Sequence, residues 1–382
     1  MIGRALAASV LALQFAAVPA QAAPERCTPK RAVMAVGETW AQRRLNVQRV
    51  WPLTMGQGVT VAVIDSGVDE THPQIRLSGK ADLTGTGFRD CVGHGTAVAG
   101  IIAGQPRGDV PFHGVAPRVK LLSIKQVNGD RGDVGLLAKA IRTAVDEHAD
   151  VINLSIDAPD TPDLRSAVNY ALDSDVVIVA AAGNLTKDDG TSAPSYPGAY
   201  EGVLSVGSAT PDGGRSQFSN PNAVGVLGPG EGISSTWPLK GYQSALKGTS
   251  YAAPYVTGVV ALVRARHPKL NELQVRRRIT LTADGATGAG TGAGMVNPLL
   301  AVTAVLPSEQ VAVAAPVPPP LPVTAVHKAV PPDRRSMEVA TVVAAGGLAL
   351  AGVVMAAWVF VPMGRRRRRL PGAPPDIGRI DG

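Results

Sequence analysis

Val59-Thr-Val-Ala-Val-Ile64 is apolar at every position except Thr60 and is largely β-branched. It lacks the alternation of a half-solvated strand, which marks a strand buried on both faces. Leu121-Leu-Ser-Ile124, Val151-Ile-Asn-Leu154 and Val176-Val-Ile-Val-Ala180 repeat the type. Between these runs, Val134 to His148 and Leu164 to Leu172 carry apolar residues at helical spacing. Strand, helix, strand, helix at short range predicts an α/β fold, a parallel sheet with helices on its faces. The glycine-rich Gly285 to Gly294 neither follows a strand nor opens a helix. It reads as a loop, not as a phosphate cradle.

The chain has 382 residues, 45% hydrophobic and 18% charged. That apolar content can form a core and excludes disorder throughout. With 2 Cys the chain is no disulfide-dense scaffold. The net charge is +7, and the run Arg365 to Arg369 supplies most of it. The basic balance therefore describes a tail, and a nucleic-acid partner is not expected.

Both ends carry targeting signals. Met1-Ile-Gly-Arg4, an apolar stretch from Ala5 to Val18 and Ala20-Gln21-Ala22 make a secretory signal peptide over 1–22. A second uncharged apolar stretch, Val339 to Val361, is long enough to cross about 30 Å of hydrocarbon as a helix. The arginine run follows at once and holds its side of the membrane in the cytoplasm. Pro316, Pro318, Pro319, Pro320 and Pro322 make the preceding segment an extended spacer. The expected order is a signal peptide at 1–22, an extension at 23–50 and a globular domain at 51–303. A Pro-rich linker at 304–338, a membrane helix at 339–361 and a basic cytoplasmic tail at 362–382 follow. The bulk of the chain then lies outside the cytoplasmic membrane.

Four polar residues stand where chemistry gathers. Asp65 ends the first strand, and sites collect at the carboxyl ends of parallel strands. His94 sits between Gly93 and Gly95, before a small apolar helix. Taken alone it is equally well a structural histidine. Ser250 opens an apolar helix running to about Arg266. In isolation it is a helix N-cap. With Pro254 in a first turn, its hydroxyl instead lies in the positive field of the helix N-terminus. Asn184 closes Ala180-Ala-Ala-Gly-Asn184, as a turn residue or as a donor to a charged oxygen. Together they supply a nucleophile, a base, an orienting acid and an anion donor, in the order Asp, His, Ser.

Val63-Ile-Asp-Ser-Gly-Val68, Gly93-His-Gly-Thr96, Ala182-Gly-Asn184 and Gly248-Thr-Ser-Tyr-Ala-Ala-Pro254 resemble the subtilisin-like serine proteases. Trp51 to Gly58, Phe112-His-Gly-Val-Ala-Pro117 and Tyr251-Ala-Ala-Pro-Tyr255 resemble the mycosins, membrane-anchored subtilases of type VII secretion systems. The resemblance implies a subtilisin-like three-layer fold with a mostly parallel sheet, plus one C-terminal transmembrane helix. It implies a serine endopeptidase with Asp65, His94 and Ser250 as triad and Asn184 at the oxyanion hole. Leu154, Ser155, Ile156, Ala181, Ala182 and Gly183 match segments lining the primary substrate pocket, and Ser195 falls near its base. No acidic residue takes the place of Ser195, so small or apolar side chains are expected before the cut.

Cys27 and Cys91 are secreted together, and a disulfide between them is the default. The stretch from Ala22 to Trp51 is too short for an independent inhibitory domain. It is expected to wrap the catalytic domain without blocking it. No cofactor and no metal ligand are assigned, although structural calcium is common in subtilases. Expected partners are peptide or protein substrates, the plasma membrane and a type VII secretion membrane complex. A general extracytoplasmic subtilase and a mainly structural complex component are the alternative readings.

Overall fold

The computed structural model describes residues 27–129, 132–185, 193–309 and 333–366. The signal peptide, most of the Pro-rich linker and the arginine run beyond Arg366 lie outside the described residues. Contacts divide the chain into residues 1–312 and 313–382.

The first unit is built on seven parallel strands. They are β1 (Thr60–Asp65), β2 (Leu77–Asp82), β3 (Lys120–Lys125), β4 (Val151–Leu154), β5 (Val177–Ala181), β6 (Leu204–Ala209) and β7 (Val226–Pro229), in the order β2-β3-β1-β4-β5-β6-β7. In register, Ile64 lies between Ile124 and Leu154. The four strands expected from sequence are present within a residue or two at each end.

The unbroken apolar run of β1 has a direct structural reason. Val61 and Val63 belong to one hydrophobic cluster, whereas Ala62 and Ile64 belong to another. Successive side chains leave a strand on opposite faces, so a strand covered on both must be apolar throughout. One cluster gathers α2 (His94–Ala103) and α5 (Thr249–Arg266). The other gathers α3 (Val134–Asp146) and α4 (Pro162–Asp173). The result is a three-layer helix–sheet–helix fold. The helix expected to reach His148 stops at Asp146, and His148 adopts a left-handed φ of 57°. Gly285 to Gly294 is a loop without helix or strand.

Outside the sheet, β8 (Glu231–Trp237) and β9 (Gly241–Lys247) form an antiparallel ribbon. The N-terminal extension docks on it. Val33 and Tyr242 exchange backbone hydrogen bonds of 2.8 and 2.7 Å. The Trp237 indole donates to Lys30 O at 2.9 Å. A disulfide joins Cys27 to Cys91. Near the domain's C-terminal end lie α6 (Glu272–Leu281) and α7 (Pro298–Thr303). Arg278, 1% exposed, pairs with Glu309 at 2.6 Å and donates to Ala301 O and Ala304 O.

The second unit holds one long helix, α8 (Arg334–Arg366). Its stretch from Arg334 to Trp358 is long and apolar enough to cross a membrane. It starts earlier than the expected span at Val339, because helical geometry continues through the charged first turns.

Candidate active site

Asp65 is the last residue of β1, 3% exposed. Both its carboxylate oxygens lie 2.9 Å from His94 Nδ1. His94 is the first residue of α2, and its approach to β1 depends on the two flanking glycines. Gly93 holds a left-handed φ of 94° against the Trp237 ring. At Gly95 a Cβ would come within 2.1 Å of Gly67 O and 3.1 Å of the Asp65 Cβ. Any side chain at Gly95 would force α2 away from the strand end.

A second buried carboxylate braces this pair. Asp90 Oδ1 accepts from the Gly93 and Val92 amides, at 2.8 and 3.1 Å. Its Oδ2 accepts from the Thr96 amide and hydroxyl, at 2.9 and 2.6 Å. The Ser66 hydroxyl lies 2.9 Å from Asp90 Oδ1 and 3.2 Å from Asp65 Oδ1, and it accepts from the Gly95 amide at 3.1 Å. Buried Lys125 donates to Gly87 O and Arg89 O at 3.0 and 2.7 Å, pinning the loop ahead of Asp90.

These charges set the titration of the site. Burial acts to lower the His94 pKa. The Asp65 charge and hydrogen bond, helped by Asp90, outweigh it and hold the imidazole above its ordinary value of 6.5. Burial pushes the Asp90 carboxyl up, against the bonds from Thr96 and Gly93. Burial lowers Lys125.

Ser250 is the second residue of α5. Its N-cap is Gly248, which offers no side-chain bond, so the Ser250 hydroxyl does not cap the helix. Pro254 lies one turn in, not in the first turn, and has no N–H for the Ser250 carbonyl. Ser155 supplies the missing donor, its hydroxyl meeting Ser250 O at 2.7 Å.

Asn184 follows the exit of β5. Its Oδ1 accepts from the Thr249 amide and hydroxyl, at 3.0 and 3.1 Å, which leaves Nδ2 to donate elsewhere. A Cβ built on Gly248 would stand 3.0 Å from Ser250 Oγ and 3.6 Å from Asn184 Nδ2. Hydroxyl and amide therefore face one small space above Gly248. His94 adjoins the same helix start, its ring centroid 5.0 Å from that of Tyr251.

The segments leaving β4 and β5 run side by side. Leu154 ends β4, with Ser155 and Ile156 beyond it. Ala181 ends β5, and Ala182 and Gly183 lead to Asn184. Ser195 closes the far side, 6% exposed. A Cβ on Gly183 would lie 2.7 Å from its Oγ. The Ala158 amide bonds Tyr196 O at 2.8 Å. The Ser195 hydroxyl donates to Asp157 Oδ1 at 2.7 Å.

Sequence reasoning missed Ser66, Asp90 and Asp157. Nothing in their local spacing signals contacts made across the fold. Among the described residues no group of three or more His, Cys, Asp or Glu could hold a metal ion.

Comparison with known proteins identifies the family. The Subtilase family model matches residues 56–299. Mycosin-3 of Mycobacterium tuberculosis is 38% identical over 86% of this chain and 84% of its own length. The structure of MycP1 from Mycobacterium smegmatis superposes with a TM-score of 0.63 at 31% identity, covering 74% of this chain and 92% of that one. The structure of the MycP3 protease from the type VII (ESX-3) secretion system gives 0.62 at 34% identity, covering 77% and 100%. The chain belongs to the subtilase family of serine endopeptidases and, within it, to the mycosins.

Proposed function

We propose that Ser250 is the nucleophile, His94 its general base, Asp65 the orienting acid and Asn184 an oxyanion donor in peptide-bond hydrolysis. One observation carries the reading: both Asp65 oxygens lie 2.9 Å from His94 Nδ1, beside the helix start that bears Ser250. Asp65 keeps the proton on Nδ1, so Nε2 is free to take the hydroxyl proton. The Ser250 oxygen attacks the scissile carbonyl, and His94 returns the proton to the leaving amine. Asn184 Nδ2 and the Ser250 amide at the start of α5 receive the charge that develops on the carbonyl oxygen. Leu154, Ser155, Ile156, Ala181, Ala182, Gly183 and Ser195 form the substrate pocket.

The protein is a single-pass membrane protease. α8 is its anchor, its protease domain is extracytoplasmic and its basic tail is cytoplasmic. The extension, described from Cys27 onward, stays bound without covering the site. The type VII secretion systems named for MycP3 support the same setting here, with secreted proteins as substrates and the membrane complex as a partner that the protease also stabilises.

Hydrolysis by Ser250→Ala and Asn184→Ala tests the chemistry. Loss on the order of 10⁶ in kcat is expected for the serine, the figure measured in subtilisin itself. Roughly 10²–10³ is expected for the asparagine. A Ser250→Ala protein that cuts peptides at the parental rate contradicts the assignment. Secretion restored by that variant in a deletion strain assigns the stabilising role to the protein independently of cleavage.

A further inference from the structure

The proposed substrate pocket, between the exits of β4 and β5, has an exposed carboxylate bonded to one of its residues. Ser195, near its base, is small and uncharged. Its hydroxyl is committed as a donor to Asp157 Oδ1 at 2.7 Å. A hydroxyl has one proton to give, so Ser195 presents a lone pair, and the carboxylate is an acceptor alone. Asp157 is exposed, and among the described residues no cation lies within ion-pair distance of it and its second oxygen has no partner. It lies two residues beyond Ser155, which holds the Ser250 carbonyl. The Ala158–Tyr196 bond ties this segment to the one bearing Ser195.

We propose that Asp157, positioned by Ser195, selects the side chain preceding the scissile bond, favouring the cationic donors lysine and arginine over aliphatic side chains. The inference rests on Ser250 being the nucleophile and replaces the small or apolar preference expected from sequence. Gly183 and Ser195 are small, and the carboxylate is reached past them. A lysine or arginine stem lies along Ala181 and Ala182 while its tip meets Asp157. Because Asp157 already stands in water, it loses little hydration when such a tip arrives. A charge-assisted hydrogen bond in this partly screened place favours lysine over leucine by about 10-fold.

The test uses the full-length protein in detergent and peptides that differ only in the residue before the cut: Lys, Arg, Leu or Ala. The readout is the ratio of kcat/KM for Lys to that for Leu, alongside labelling of Ser250 by a fluorophosphonate. The ratio is expected to exceed one in the parent and to fall about 10-fold in Asp157→Asn. In Ser195→Ala, which keeps the charge but removes the bond that positions it, the ratio is expected to fall part of the way and to stay above that of Asp157→Asn, and an unchanged ratio overturns the positioning by Ser195. A parent that prefers Leu or Ala, or a ratio unchanged by Asp157→Asn, overturns the inference while Ser250 still labels. No hydrolysis of any peptide with Ser250 unlabelled overturns the protease assignment and this inference together.

Discussion

The Ser155 hydroxyl donates to the Ser250 carbonyl across 2.7 Å, filling a vacancy that Pro254 creates one turn further along α5. A proline at that place removes the N–H that an ordinary helix would direct to residue 250. The helix bearing the proposed nucleophile is thus tied to the segment proposed to line the substrate pocket.

This arrangement predicts an exchange of donors. Ser155→Ala leaves a carbonyl without its protein partner, at a cost of about 1–3 kcal/mol. Adding Pro254→Ala restores a backbone donor and should recover part of the loss. Thermal unfolding of the single and double variants measures this. A double variant less stable than the sum of the two single changes contradicts the explanation.

The elevated His94 pKa predicts opposite pH trends for activity and for one part of stability. The imidazolium cannot take the Ser250 proton, so kcat/KM falls with pH through the folded-state value, which lies above 6.5. The His94–Asp65 pair stabilises the fold most below the unfolded pKa, and this contribution is lost as pH rises through the folded one. The Tm difference between parent and His94→Gln should therefore shrink with rising pH. An acid limb centred below 6.5 would contradict the electrostatic account of the site.

The Cys27–Cys91 disulfide closes a loop with a sequence separation of 64. In the chain-entropy model that is worth about 4 kcal/mol. Cys91 lies between Asp90 and His94, so the bond joins the extension to the loop that braces His94. Cys27→Ser is expected to lower the Tm of the protease domain and to release the extension to proteolysis. Alkylation of both thiols without reductant would contradict the bond.

What the sequence disclosed depended on how local each signal was. β1, β3, β4 and β5 were legible because burial on both faces leaves continuous apolar runs. β6 was not, since Ser205, Gly207 and Ser208 interrupt it while remaining fully buried. The ribbon of β8 and β9 was equally hidden, because Ser235 and Thr236 spend their hydroxyls on the Ala97 and Thr96 carbonyls. Asp65, His94, Asn184 and Ser250 stood out because each sits at an element end among small residues. Whether Ser250 capped its helix was decided by the backbone, which places Gly248 at the cap. Asp90 and Asp157 stayed hidden because their partners Ser66 and Ser195 are 24 and 38 residues away.

The most direct measurement is fluorophosphonate labelling of the full-length protein in detergent, followed by mapping of the modified peptide. The account predicts one modified residue, Ser250, with labelling abolished in Ser250→Ala and strongly slowed in His94→Ala. A folded protein that leaves Ser250 unmodified, or that labels equally fast without His94, would contradict it.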